Sequence, residues 1–135
     1  VEQFRHEVER AARGLPAKGF LRSIGHDSCT EMTATVVYVG RHVAFEFLWD
    51  VRDQAVKLMV TRCQDGRLVP TGRGGYRSSV FSYLLDHCGF RGRAVLPAPA
   101  TPESSVLQIR ILAVLNLLAQ PGAIALMEDR PDSLP

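Results

Sequence analysis

Residues 33–69 contain several strand-like runs, and in residues 43–50 and 56–61 the larger apolar side chains recur with the period of two that is typical of half-buried β-strands. Gly40-Arg41 lies between the first two strand-like runs, which predicts a tight hairpin. Asp65-Gly66 predicts a second hairpin, because both residue types adopt the positive φ angles that such turns require. We therefore expect an antiparallel meander of three to four strands.

The second predicted strand has two different faces. One face consists of Val43, Phe45, Phe47 and Trp49. Because these side chains are large and apolar, we expect them in the core. The opposite face, here called the outer face, carries Ala44, Glu46, Leu48 and Asp50, and continues on the next strand with Lys57, Met59 and Thr61. Its mixed character fits a solvated surface and a partner-binding surface equally well. Our candidate partner-binding residues on the outer face are Glu46, Leu48, Asp50 and Met59.

Three helices are predicted from apolar residues at helical spacing. They span residues 1–14, about 79–88 and about 103–120. Thr101-Pro102-Glu103 supplies a start signal for the last helix, namely an N-cap residue, a proline in the first turn and an acid near the positive end of the dipole. The helices are expected to cover one face of the meander.

These elements predict an α+β fold. We expect residues 1–127 to form a single domain, because domains commonly contain roughly 100–150 residues. Residues 128–135 are polar and contain prolines, which predicts a frayed C-terminal tail.

The last predicted helix carries more apolar surface than one core contact needs. One stripe contains Leu107, Ile111, Val114, Leu115 and Leu118. A second stripe contains Val106, Ile109, Ala113 and Leu117. Two stripes predict burial on two sides, and we propose the second stripe as a contact to a partner protein or to a second copy of the chain.

Composition limits the function classes. With 16 Lys+Arg against 14 Asp+Glu, the net charge of +2 does not favour nucleic-acid binding. The three cysteines are widely spaced, which argues against a disulfide framework and a structural zinc site. The longest apolar run, residues 106–119, is interrupted by polar side chains and is shorter than the ~20 residues of a membrane span. We therefore expect a cytoplasmic protein with no membrane contact, no metal and no cofactor.

The string Gly25-His26-Asp27-Ser28-Cys29 contains a base, a carboxylate and two nucleophiles. Catalytic groups converge in space, whereas sequence neighbours in extended structure point in different directions. A turn is the ordinary interpretation of this string. We predict no catalytic residues.

Residues 70–77 form a loop rich in glycine and arginine, followed by a predicted helix. Backbone N–H groups of such loops can bind anions, although this loop matches neither the P-loop nor the dinucleotide fingerprint. The candidate anion-binding residues are Arg73, Gly74, Gly75, Arg77, Arg91 and Arg93.

The order of a helix, an antiparallel meander and two helices resembles the architecture of small binding modules such as bacterial toxin-immunity proteins and secretion chaperones. Our first hypothesis is a non-enzymatic protein-interaction module that acts as a dimer or with a protein partner. The alternative is a small-molecule or anion-binding domain, with or without enzymatic activity, that uses the loop at residues 72–77.

Overall fold

The protein folds around one antiparallel sheet. The computed structural model describes residues 2–89 and 105–135. Six strands follow the order β1-β2-β3-β4-β5, and β6 also pairs with β4. The strands are β1 (Leu21–Arg22), β2 (Thr33–Val39), β3 (Val43–Asp50), β4 (Ala55–Gln64), β5 (Arg67–Leu68) and β6 (Arg77–Ser79). The α+β prediction is confirmed, with three long meander strands and three short additional ones.

The register of the sheet follows from its alternating side chains. Phe47 pairs with Val36 on one side and with Leu58 on the other, so these three apolar residues share the face that points to the core. The second hairpin has the predicted backbone, with φ angles of 52° at Asp65 and 77° at Gly66. Positive φ at both central residues matches the twist of the flanking strands.

Helices cover the core face of the sheet. They are α1 (Glu2–Ala11), α2 (Val80–His87), α3 (Val106–Asn116) and α4 (Ile124–Met127). Helix α1 buries Phe4 and Val8, and α3 packs against both α1 and β4 and buries Ile111. The aromatic face of β3 lies below them, with Phe45 and Phe47 fully buried.

Helix α3 begins later than predicted. Ser105 is its N-cap, and the Ser105 and Gln108 side chains each accept a hydrogen bond from the other residue's backbone N–H. This capping box satisfies backbone donors that the first helical turn leaves unpaired. The predicted start signal at Thr101-Pro102-Glu103 lies outside the described residues. At its other end α3 tightens into a 3-10 turn at Leu117–Ala119 before Pro121.

Residues 128–135 pack against the domain, which differs from the frayed tail predicted from sequence. Leu134 is only 7% exposed and belongs to the main core. The Tyr83 hydroxyl donates to the Ser133 carbonyl oxygen at 2.6 Å. Asp129 reaches the β2–β3 hairpin, where its carboxylate accepts the backbone N–H groups of Arg41, His42 and Val43.

Gly40 allows this tail contact. A Cβ atom at residue 40 would lie 2.5 Å from Oδ2 of Asp129, which is closer than a carbon atom approaches an oxygen atom to which it is not bonded. The hairpin therefore needs glycine at this position for close approach by the tail.

Candidate functional site

The string at residues 25–29 is held by structural contacts. The Asp27 carboxylate accepts from both terminal nitrogens of Arg22, at 2.7 and 2.5 Å, and from the Val37 backbone N–H at 3.0 Å. Ser28 hydrogen-bonds Thr35, and His26 hydrogen-bonds Ser23 on the surface. Because each polar group faces a different neighbour, the structure does not bring them together as a nucleophile, a base and an orienting acid.

The Arg22–Asp27 pair joins several elements. The Asp27 side chain is 6% exposed, and Nε of Arg5 on α1 lies 3.6 Å from its carboxylate. The guanidinium of Arg22 lies 5.7 Å from the centre of the Tyr38 ring, and its hydrogen bond to Asp27 raises the pKa of Arg22. Burial raises the pKa of Tyr38. A bidentate, charged pair of this kind fixes geometry, here that of α1, β1 and the loop before β2.

The Gly/Arg loop is closed by its own hydrogen bonds. The backbone N–H groups of Arg73 and Gly75 both donate to the Pro70 carbonyl, each at 3.0 Å. Strand β6 stands between the loop and α2, so the loop does not lead directly into a helix N-terminus. Arg77 forms an ion pair with Glu46 at 3.0 Å instead of joining the loop. Arg91 and Arg93 lie outside the described residues, and the anion-binding role of this set stays a prediction.

The candidate residues of the outer face do share one face of the sheet. Glu46 pairs with Met59, and Leu48 pairs with Lys57. At the end of this face near the β2–β3 hairpin, however, the side chains are buried and cannot contact a partner. They form a second buried cluster of Val37, Val39, Ala44 and Cys63. Ala44 was expected to face solvent or a partner and is only 1% exposed.

The second stripe of α3 is exposed only at its start. Val106 is 64% exposed and Ile109 is half-buried, whereas Ala113 and Leu117 are 8% and 6% exposed. Packing inside the domain thus already covers the later half of the stripe.

An apolar concavity lies between the end of α1, with the turn that follows it, and the end of α3, and we call it the α1–α3 groove. Its volume is about 440 Å³. One wall comprises Ala11, Ala12, Gly14, Leu15 and Lys18, and the other comprises Leu112, Leu115, Asn116, Leu118, Ala119 and Met127. Sequence periodicity placed several of these residues on apolar stripes, but it could not show that residues about a hundred positions apart enclose one groove.

The three cysteines lie in different environments. Cys29 is exposed, Cys88 is half-buried and Cys63 is buried. Burial, with the nearby Asp129 charge as a smaller cause, raises the pKa of Cys63 to about 12. This thiol also donates to the Gly40 carbonyl at 3.2 Å.

Two further surveys concern only residues 2–89 and 105–135. Within these ranges no group of three or more His, Cys, Asp or Glu side chains is placed to hold a metal ion. No single described helix has the length and apolar character to cross a membrane; the pair Val106–Ala119 and Pro121–Met127, bent by 78°, meets these criteria only in combination.

Comparison of the chain with protein-family models, with curated proteins and with solved structures finds no match in any of the three. The function therefore has to be argued from the groove and its surroundings.

Proposed function

We propose that this protein is a non-enzymatic protein-interaction module whose α1–α3 groove receives apolar side chains of a protein partner. The observation that carries the proposal is the groove itself, an apolar concavity of about 440 Å³ between the turn that follows α1 and the end of α3. The partner is a different protein or a second copy of this chain. The order of a helix, an antiparallel meander and further helices resembles that of bacterial immunity proteins and secretion chaperones.

The lining supports binding of a protein segment. Among the lining residues, only Lys18 and Asn116 have polar side-chain groups, and the groove is open to solvent. Small-molecule sites typically enclose most of the ligand and orient it with several convergent polar groups. Apolar surface in contact with water costs about 25 cal/mol per Å², so apolar side chains from a partner would be stabilised there.

The contacts around residues 25–29 support a binding role over a catalytic one. The Asp27 carboxylate accepts hydrogen bonds from Arg22 and from a backbone N–H, and the Ser28 hydroxyl hydrogen-bonds the Thr35 hydroxyl. A nucleophile needs an adjacent base in hydrogen-bond reach, and these groups face structural neighbours instead.

The proposal is tested by selecting from a random peptide display library on the folded domain. The groove variant Ala11→Gln with Ala119→Gln places one polar side chain on each wall, and Ala119 is exposed, so folding should be retained. Val106→Gln is the matched control, because Val106 is exposed on α3 but does not line the groove.

We expect peptides that bind the native protein and the Val106→Gln control but not the groove variant. Circular dichroism and urea unfolding verify that all three proteins fold. Selection of no peptide, or equal retention by the native protein and the groove variant, would overturn the proposal. Sedimentation equilibrium identifies the partner as a second copy if a native dimer dissociates in the groove variant.

A further inference from the structure

The β2–β3 hairpin holds an anion site that is made of backbone groups. The N–H groups of Arg41, His42 and Val43 are consecutive, and all three donate to the Asp129 carboxylate, at 2.5, 2.9 and 2.9 Å. Successive N–H groups that converge in a turn form a concavity that binds anions. We call these three groups the hairpin nest. Because the nest consists of backbone, its donors fit any carboxylate side chain that reaches them.

Residues 128–135, which we call the C-terminal strap, are anchored by two side chains. Asp129 lies in the hairpin nest, and Leu134 is buried in the main core. Residues 130–132, between these anchors, are exposed. The strap thus meets the domain as a bound peptide does, through two anchors with exposed positions between them.

Further hydrogen bonds from the domain go to the main chain of the strap. The Tyr83 hydroxyl donates to the Ser133 carbonyl at 2.6 Å. The Arg62 guanidinium donates to the backbone oxygens of Leu134, at 3.2 Å, and of Pro135. In peptide recognition, such main-chain bonds provide affinity and side-chain pockets provide specificity. Every peptide offers these main-chain oxygens, so the two anchors alone impose a sequence requirement.

The strap is not part of the sheet, and its release leaves the strand pairing intact. The backbone N–H groups of Glu128, Asp129 and Arg130 donate to carbonyls of α4, and that of Ser133 donates within the strap. A segment with one buried side chain, here Leu134, and no strand pairing opens locally at a lower free energy than the core.

We propose that the hairpin nest and the pocket that holds Leu134 form a recognition site for a protein partner, and that the strap occupies this site until a partner segment displaces it. That segment carries a carboxylate five residues before a leucine, as the strap does at Asp129 and Leu134. The strap argues for this occupant, because it shows which chemistry the surface accepts. The site is separate from the α1–α3 groove, whose lining includes none of these residues, so the two proposals stand or fall independently.

The test uses a fluorescein-labelled peptide with the sequence of residues 128–135 and two control peptides, one with Asp129→Asn and one with Leu134→Ala. Fluorescence anisotropy measures their binding to three proteins, namely the native chain, its Asp129→Asn variant and its Asp132→Asn variant. Asp129→Asn weakens the strap, and Asp132→Asn is the matched control, because Asp132 is an exposed acid of the same strap. Circular dichroism verifies that the three proteins fold.

We expect the native-sequence peptide to bind the Asp129→Asn protein about tenfold more tightly than the native or the Asp132→Asn protein, because an intact tethered strap competes for the site at a high effective concentration. Both control peptides should bind more weakly than the native-sequence peptide, since each lacks one anchor. Equal affinity for the three proteins, equal affinity of the three peptides, or no binding overturns the proposal.

Hydrogen exchange of the native protein, followed by NMR, tests release of the strap without any substitution. We expect the His42 and Val43 N–H groups to exchange through local opening, at rates that do not change at low concentrations of urea. The Phe45 and Phe47 N–H groups, inside the sheet, should exchange faster as urea is added, because their exchange requires unfolding that exposes far more surface. If all four N–H groups show the same urea dependence, the strap leaves only when the protein unfolds, and the proposal is overturned.

Discussion

Asp129 attaches the C-terminal segment to the β2–β3 hairpin, and replacing it should destabilise the fold. Its carboxylate accepts three backbone N–H groups, from Arg41 at 2.5 Å and from His42 and Val43 at 2.9 Å each. Residue 129 has a φ of 54°, which Asn and Gly tolerate better than Ala. The informative substitutions are therefore Asp129→Asn and Asp129→Gly.

The size of the effect follows from the number and type of hydrogen bonds. A hydrogen bond to a charged group contributes about 1.5–3 kcal/mol net, and a neutral one about 0.5–1.5 kcal/mol. In Asp129→Asn the amide oxygen can still accept from His42 and Val43, but the NH₂ group faces the Arg41 donor. We expect a loss of about 2 kcal/mol. In Asp129→Gly all three bonds are lost, and solvation of the exposed Arg41 N–H limits the loss to about 3–4 kcal/mol.

Urea unfolding monitored by Trp49 fluorescence and by circular dichroism measures both variants. Trp49 is the single tryptophan and packs on Phe4, so it reports on the core. Asp132→Asn is the control, because this acid is exposed in the same segment and should change stability by less than about 0.5 kcal/mol. If Asp129→Asn matched that control, the carboxylate would not be the anchor that the contacts describe.

Three further predictions concern buried groups. Leu134→Ala should lower the free energy of unfolding by about 2–3 kcal/mol, because Leu134 is 7% exposed and lies in the main core. Urea unfolding measures this change, and a loss below about 0.5 kcal/mol would instead fit a frayed tail. Iodoacetamide at mildly alkaline pH should modify Cys29 in the native protein and Cys63 only after unfolding, as peptide mapping by mass spectrometry would show; equal rates would contradict the assigned burial. The pKa of Cys63 is raised from 9 to about 12, so its contribution to stability is full below about pH 9 and decreases as the pH rises towards 12. Between these pH values, the free energy of unfolding of the native protein should therefore fall by more than that of the Cys63→Ala variant.

The meander could be predicted from the sequence because the residues that determine its strands and turns are close to one another along the chain. Alternation sets which side chains face the core, and Asp65-Gly66 sets a turn from two adjacent residues. The fully buried Phe45 and Phe47 follow directly from that alternation. Register and core face thus depend on contacts between segments that are neighbours in sequence.

Features that depend on distant contacts could not be predicted. Leu134 is one apolar residue in a polar segment, so no periodicity marks it as buried. Strand β6 is formed by Arg77, Ser78 and Ser79, whose polar side chains have no strand signature, and its pairing with β4 decides its structure. Tertiary context overrides propensity in such short elements.

The apolar surplus of α3 shows what can be inferred about a partner from sequence. Two apolar stripes predicted burial on two sides, and we assigned the second side to a partner. Ala113 and Leu117, in the second stripe, are instead buried inside the domain, since α3 is bounded by α1 and β4 and continues into a turn that contacts α2 and α4. A pattern of apolar residues reports that a surface is covered, but it does not report by what. Only the apolar surface left after the domain has packed is evidence for a partner, so the candidate interface is the α1–α3 groove and not the buried later half of the second stripe of α3.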